Sequence, residues 1–222
     1  MTIQAVIFDM DGVLVDSEVY WRESREEFAT ALGKVWTADD HRAAMGRSTI
    51  EWAAVMKERL GLDWTLEQIM DDVKARIVAH YEERLPVLPG ALEAVRTAAS
   101  AYRVALASGS PTEIIQEVMR LTKLDGVFEA VVYGDDMKHG KPAPDIYLET
   151  ARLLGVPPEQ CVAIEDSGNG IRAAKAAGMY CIAVPSPDFP LPDEIVKLAD
   201  LALPSLAGFT VETVRGLESP KG

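Results

Sequence analysis

The chain has 222 residues, of which 48% are hydrophobic and 26% charged, the profile of a folded globular protein with room for one sizeable core or a core plus a small second domain. Its longest apolar runs, such as 104–107 and 182–184, are far too short to cross a bilayer, and the run 5–8 ends at Asp9, so neither a membrane span nor a signal peptide is expected. The formal charge of -13 lacks the basic footprint that a nucleic-acid backbone requires and repels anionic membrane surfaces, so an anionic substrate would need positive charge supplied by the site itself.

In chain order, a first strand is predicted over 4–8, followed at once by Asp9, Asp11 and Gly12. Residues 16–85 then show helical periodicity throughout, for example Phe28 and Leu32 and later Ile69, Val73 and Ile77, with no strand pattern. All four tryptophans, Trp21, Trp36, Trp52 and Trp64, fall in this interval, as packing residues of a small helical domain would. Pro86 and Pro89-Gly90 mark the return to a core. Strands are predicted at 103–107, 130–133, 161–164 and 180–184, with a weaker one at 201–203, separated by helical patterns. Ser110-Pro111-Thr112-Glu113 reads as a capping box with proline at the first helical position, and 173–177 runs into Gly178 as a helix C-cap. The alternation predicts an α/β fold with a doubly wound, mostly parallel sheet, interrupted by an inserted all-helical domain: 1–15 and 86–222 form the core and 16–85 the insertion. Cys161 and Cys181 each sit in a strand segment, which predicts buried reduced thiols and suits a cytoplasmic setting.

In open parallel sheets the ligand site lies outside the carboxyl ends of the strands. The residues that follow the apolar runs are Asp9 and Asp11, then Ser108, Gly109 and Ser110, then Lys141 beyond a polar loop, then Glu165 and Asp166. Converging carboxylates repel one another unless a hard divalent cation sits among them, which implies a magnesium site. Ser108 and the amides of Gly109 and Ser110, ahead of a helix N-terminus, suit phosphate oxygens, and Lys141 adds a point charge. A carboxylate attacks phosphorus to give an acyl-phosphate that water then hydrolyses, and a second one serves as general acid and base. Spacing leaves open which of Asp9 and Asp11 does which. Gly168-Asn169-Gly170-Ile171-Arg172-Ala173 also fits a dinucleotide fingerprint with Asp188 as the ribose acid, but Glu165 and Asp166 would repel a pyrophosphate there, and the glycines suit a tight metal loop better. His41, His80 and His139 are scattered without metal-ligand spacing.

Asp9-Met10-Asp11-Gly12-Val13-Leu14-Val15-Asp16-Ser17 resembles the first signature of the haloacid dehalogenase superfamily phosphatases. Ser108, Lys141 within Gly140-Lys141-Pro142-Ala143-Pro144-Asp145, and Glu165-Asp166-Ser167 with Gly168 and Gly170 resemble the other three. The resemblance implies a Rossmann-like core with a helical cap. It assigns Asp9 as nucleophile and Asp11 as general acid and base. Magnesium would be held by Asp9, the Asp11 carbonyl and Asp166, with Glu165 close by; Ser108 and Lys141 would hold the phosphoryl group. The pattern is similar to the branch that contains phosphoglycolate phosphatases, sugar-phosphate phosphatases and β-phosphoglucomutase. Mutase-type members carry a histidine where this chain has Trp21 and a lysine near Met45, which lowers the mutase reading. Gly46-Arg47-Ser48 resembles the cap loop that reaches towards substrate, making Arg47 a candidate contact. Dehalogenases lack the second aspartate, and phosphonatases need a cap lysine, for which Lys34 and Lys57 are the candidates. The expected activity is therefore magnesium-dependent hydrolysis of a small phosphorylated metabolite, with a phosphomutase and a non-enzymatic phosphoacceptor as the alternatives.

Overall fold

The computed structural model describes residues 2–45, 47–187 and 190–218. Strand β1 (Ala5–Phe8) is followed by four helices in succession, α1 (Glu18–Ala31), α2 (Ala38–Ala44), α3 (Thr49–Leu60) and α4 (Leu66–Glu83), before α5 (Ala91–Ala99) leads to β2 (Arg103–Ser108). From there the chain alternates through α6 (Thr112–Thr122), β3 (Ala130–Tyr133), α7 (Asp145–Leu154), β4 (Cys161–Glu165), α8 (Gly168–Ala176), β5 (Tyr180–Ala183), α9 (Asp193–Val196), β6 (Leu201–Ala202) and α10 (Val211–Arg215). The strands form one parallel sheet in the order β3-β2-β1-β4-β5-β6. This is the doubly wound parallel arrangement expected from the alternation and the Rossmann-like core that the resemblance implies, and each strand lies within a residue of its predicted limits. The winding reverses between β1 and β4, which opens a crevice at their carboxyl ends.

Side chains on a strand alternate between the two faces of the sheet, and here the faces differ in size. Val6, Phe8, Val104, Leu106, Val162, Ile164 and Ile182 belong to a core of large side chains that continues through α5 and α6 into the inserted helices. Ala5, Ile7, Ala105, Ala107, Ala163, Cys181 and Ala183 belong to the other, where small residues share the packing with α7 and α8. Cys161 and Cys181 are free thiols in this second core, and burial pushes both up to about 12, which makes them inert packing residues.

The inserted helices pack around their aromatic residues. Trp21 meets Trp52 edge-on at 5.7 Å and Phe28 meets Trp64 at 5.5 Å, both between ring centroids. Arg25, 4% exposed, lies against the rings of Trp21 and Trp52 at 5.0 and 5.4 Å, and its Nη1 is 3.5 Å from His41 Nδ1. His41 Nε2 is 2.7 Å from Glu18. Burial pulls the Arg25 guanidinium down to about 10 while the Glu18 carboxylate opposes the shift. Helices α2 and α4 start from capping boxes, Thr37 with Asp40 and Thr65 with Gln68.

Two expectations about helix ends change. The α6 capping box does not form: the N-cap is Pro111, the Ser110 hydroxyl turns to Asp11, and Glu113 pairs with Lys74 of α4 at 2.9 Å. Asp135, in a 3-10 turn after β3, accepts instead from the Thr112 amide at 2.9 Å and so caps α6 from outside the helix. At the other end of the chain Ala177 is the C-cap of α8, and Gly178 (φ +80°) follows it, its amide donating to Lys175 and that of Met179 to Ala174 in a Schellman closure.

The two chain segments that join the inserted helices to the sheet hydrogen-bond to each other. Asp16 N donates to Pro86 O and Leu88 N to Leu14 O, both at 2.9 Å. Beyond them Gly90 has φ +79°, and a Cβ there would stand 2.4 Å from the Ala207 backbone. We expect Gly90→Ala to destabilise the protein by about 2 kcal/mol or more, the sum of a left-handed backbone penalty and a backbone clash; a chemical-denaturation midpoint equal to that of the parent would contradict this reading.

Candidate active site

The carboxyl ends of β1, β2 and β4 meet at one ammonium group. Lys141 Nζ donates to Asp9 Oδ1 at 2.8 Å, to Glu165 Oε1 at 2.5 Å and to the Ala107 carbonyl at 3.3 Å, which uses all of its donors. Asp9 is 6% exposed and Glu165 fully buried. Asp9, Glu165 and Asp166 each bring a carboxylate oxygen to within 4.8 Å of the others.

Such crowding raises carboxyl pKa values. Asp9 is pushed up to about 8, first by burial, with Lys141 opposing and Glu165 and Asp11 adding to the rise. Asp166 is pushed up to about 9 by burial and by its carboxylate neighbours. Lys141 moves upward despite burial, because Asp9 and Glu165 stand beside it. Three carboxylates against one ammonium leave two negative charges at full ionisation, which is the charge of a divalent cation. The all-oxygen donor set is the kind that magnesium takes.

Two glycines make room for the acidic groups. A Cβ on Gly12 would fall 2.0 Å from Asp166 Oδ2, and one on Gly170 would fall within 2.0 Å of both Glu165 carboxylate oxygens. Gly170, part of the dinucleotide-like motif, therefore serves a carboxylate, and Asp188, the ribose-acid candidate, lies outside the described residues. Ser167 caps α8 by accepting from Gly170 N, and its hydroxyl donates to Glu165 Oε2 at 3.1 Å.

Asp11 is held apart from this cluster. Its Oδ2 accepts from the hydroxyls of Ser108 at 3.2 Å and Ser110 at 2.7 Å, while Oδ1 is buried without a partner. The Ser110 amide donates to Ser108 Oγ. The β2 loop thus grips Asp11 with the hydroxyls expected to face phosphate. The loop is braced from behind, since a Cβ on Gly134 would lie 2.4 Å from the Gly109 carbonyl oxygen.

The structure brings these residues to neighbouring strand ends in two groups, Asp9, Lys141, Glu165 and Asp166 in one and Asp11, Ser108 and Ser110 in the other. Arg47 is part of neither: the side chain is exposed and its Nε donates to Ala43 O within the insertion, while Gly46 lies outside the described residues. Lys57 Nζ is engaged by the Trp64 carbonyl and Lys34 is exposed. Sequence reasoning passed over Tyr147, whose hydroxyl donates to Glu165 Oε1 at 2.6 Å and whose ring lies 5.1 Å from Lys141 Nζ. It also passed over Asp135 and Gly134. Tyr147 sits on the buried face of α7 with Ile146, Thr150, Ala151 and Leu154, where a helical pattern marks it as packing.

Comparison with known proteins agrees with this arrangement. A model of the haloacid dehalogenase-like hydrolases matches residues 3–178. A phosphorylated carbohydrates phosphatase of Thermotoga maritima is 38% identical over 80% of this chain and 82% of its own length. Hexitol phosphatase B of Escherichia coli K12 is 36% identical over 96% of this chain and 97% of its own. A crystal structure of CbbY from Rhodobacter sphaeroides in complex with phosphate superposes with a TM-score of 0.86 at 28% identity, covering 96% of this chain and all of the other. The chain belongs to the haloacid dehalogenase-like hydrolases and is a phosphoric monoester hydrolase of that superfamily.

Proposed function

We propose that the chain hydrolyses the phosphate monoester of a small sugar or sugar alcohol, or of a phosphoglycolate-like acid, through an aspartyl-phosphate on Asp9. The observation that carries this reading is the single ammonium of Lys141 shared by Asp9 and Glu165 at the crevice between β1 and β4. The relatives named for phosphorylated carbohydrates and hexitols support the choice of substrate class.

In the first displacement an Asp9 oxygen bonds to phosphorus as the ester P–O bond breaks, and Asp11 delivers a proton to the departing alcohol oxygen. In the second, Asp11 takes a proton from the water that attacks phosphorus, and the Asp9 carboxylate leaves with orthophosphate released. Sequence spacing alone treats the two aspartates alike, but their surroundings do not. Lys141 holds one oxygen of Asp9 beside Asp166, whereas Ser108 and Ser110 hold the Asp11 carboxylate on the β2 side, two residues away. Lys141 then stabilises the charge on the phosphoryl oxygens. Asp9, the Asp11 backbone carbonyl and Asp166 would hold magnesium, which when bound neutralises phosphoryl oxygens that an acidic crevice would otherwise repel. The raised carboxyl groups of Asp9 and Asp166 fit that role, because each gains from a nearby cation. The insertion, taken as 16–85, acts as a cap that hinges on the paired segments near Asp16 and Leu85 and excludes water during transfer. Trp21, packed on Trp52 and Arg25, puts an indole where mutase-type members carry a histidine, so position 21 itself supplies no group for a mutase-type proton transfer.

Asp9→Asn is expected to lower kcat by several orders of magnitude with the melting temperature little changed; more than a few per cent residual activity would remove Asp9 from the nucleophile role. A panel of phosphorylated sugars, sugar alcohols and short hydroxy acids, assayed for orthophosphate in the presence of magnesium, should give release that chelation abolishes. Isomerised sugar phosphate formed from β-glucose 1-phosphate and a bisphosphate primer without free phosphate would point to a mutase instead.

Metal and protons compete for the same oxygens. Folded Asp9 and Asp166 keep protons to about 8 and about 9 that the unfolded chain has already released. Their stabilising effect in the metal-free protein is therefore complete below the ordinary carboxylate range and is lost as pH rises through those values. Magnesium should then raise the melting temperature more at about pH 9 than at about pH 5, because ligation releases the protons. A shift as large at the lower pH would contradict the assignment.

A further inference from the structure

The Glu165 carboxylate is already fully engaged. Its Oε1 accepts from Lys141 Nζ at 2.5 Å and from the Tyr147 hydroxyl at 2.6 Å, and its Oε2 accepts from Ser167 Oγ at 3.1 Å and Ser167 N at 3.4 Å. A carboxylate offers about four lone-pair positions, and four donors occupy them. The side chain is fully buried, and Gly170 closes over it so tightly that a Cβ would overlap its carboxylate. Asp166, by contrast, is half-buried, and its Oδ2 lies against the bare Cα of Gly12 in the turn that carries Asp11.

Tyr147 reaches this set from α7, the helix packed on the sheet face that carries Ala163 and, two residues on, Glu165. It is fully buried on α7 among Ala105, Ala107, Ala163 and Cys181. Burial next to Glu165 keeps its hydroxyl well above the ordinary phenol range, so it remains a donor. Its ring also lies 5.1 Å from the Lys141 ammonium, close enough for a cation–π contact. One side chain thus touches both members of the Lys141–Glu165 pair.

We propose that Glu165 orients Lys141, and that Tyr147 is a positioning residue which fixes Glu165, and through it the Lys141 ammonium, at the place where the phosphoryl oxygens arrive. The inference rests on the phosphotransfer reading of the site. Lys141 is shared by Asp9 and Glu165, and of these two carboxylates only that of Glu165 also accepts from Tyr147. Tyr147 never meets substrate. The effect of its hydroxyl reaches the phosphoryl group along the chain Tyr147, Glu165, Lys141.

Tyr147→Phe tests this, because it keeps the ring and deletes one hydrogen bond. Relative to the parent, the folded variant should lose about tenfold to hundredfold in kcat/KM for the best ester, and orthophosphate should bind the magnesium-loaded protein about tenfold more weakly by titration calorimetry. Magnesium binding to the protein alone should stay within about twofold. Asp166→Asn provides the opposite pattern, with magnesium affinity as its main loss. Glu165→Gln combined with Tyr147→Phe should be no slower than Glu165→Gln alone, since Tyr147 acts through Glu165. Parental orthophosphate affinity and kcat/KM in Tyr147→Phe would overturn the proposal. So would a magnesium affinity that falls as far in Tyr147→Phe as in Asp166→Asn, or multiplicative losses in the double variant. If the parent releases phosphate from no ester, the phosphotransfer reading fails, while the orthophosphate and magnesium titrations still decide the role of Tyr147.

Discussion

The crowding of Asp9, Glu165 and Asp166 at the ends of β1 and β4 is the constraint around which the molecule is organised. At an effective dielectric of about 20, two ionised groups no more than 4.8 Å apart repel by about 3 kcal/mol or more. Sheet geometry cannot relax this, because β1 and β4 are neighbours in register and the acids directly follow their last paired residues. The chain offsets the repulsion by sending Lys141 back from the loop between β3 and α7 into the gap. That loop can reach the gap because β3 lies two strands from β1 on the same side of the sheet. The remaining charge suits a divalent cation, so an arrangement costly to the empty protein favours binding of metal and phosphate.

Close packing around the acids follows from the same demand. Gly12 and Gly170 exist as gaps for carboxylates, and Ser167 commits its hydroxyl to both the start of α8 and Glu165. On the β2 side, Ser108 and Ser110 hold Asp11 away from the acidic cluster, and this separation gives two aspartates two residues apart different surroundings. The β2 loop in turn depends on Gly134 and Asp135 from the next loop, one leaving room for the Gly109 carbonyl and the other capping α6. Burial of charge at one point therefore sets the residues of four successive strand-end loops.

This explains which parts were legible in the sequence. Strands showed themselves through apolar runs and helices through periodicity, both local signals, and the strand-end rule then collected Asp9, Asp11, Ser108, Lys141, Glu165 and Asp166 without any knowledge of strand order. What escaped notice is set by contacts between distant segments. Ser110 and Glu113 satisfy the local capping pattern, but each finds a stronger partner across the fold, Asp11 for one and Lys74 for the other, so local pattern lost to tertiary charge. Tyr147 carries the signature of a buried helix face, and nothing in its neighbourhood along the chain says that its hydroxyl meets Glu165, eighteen residues on. Resemblance decided between Asp9 and Asp11, and the difference in their hydrogen-bond partners is a tertiary feature that spacing along the chain could not supply.

The inserted helices solve a different problem, that of moving as one piece. Arg25 is a buried cation, which is expensive unless paired and directional. It joins α1 to α2 through His41 and to α3 through the Trp52 ring, so the charge stiffens the unit that contains it. Contacts from this unit to the core are of two kinds, the shared core of large side chains that runs through α5 and α6 and a fringe of ion pairs around it. Lys74 to Glu113 and Arg120 to Glu82 are ion pairs with exposed partners, and such pairs contribute about 0–1 kcal/mol each. The insertion joins the sheet through two chain segments that hydrogen-bond to each other, so on the proposed reading a swing of the cap must also part the apolar core it shares with α5 and α6. On the proposed reading, closure must then be driven by what lies in the crevice. A bound phosphoryl group fixed by Lys141 is common to every ester, so selection among esters falls to whatever the cap touches beyond it.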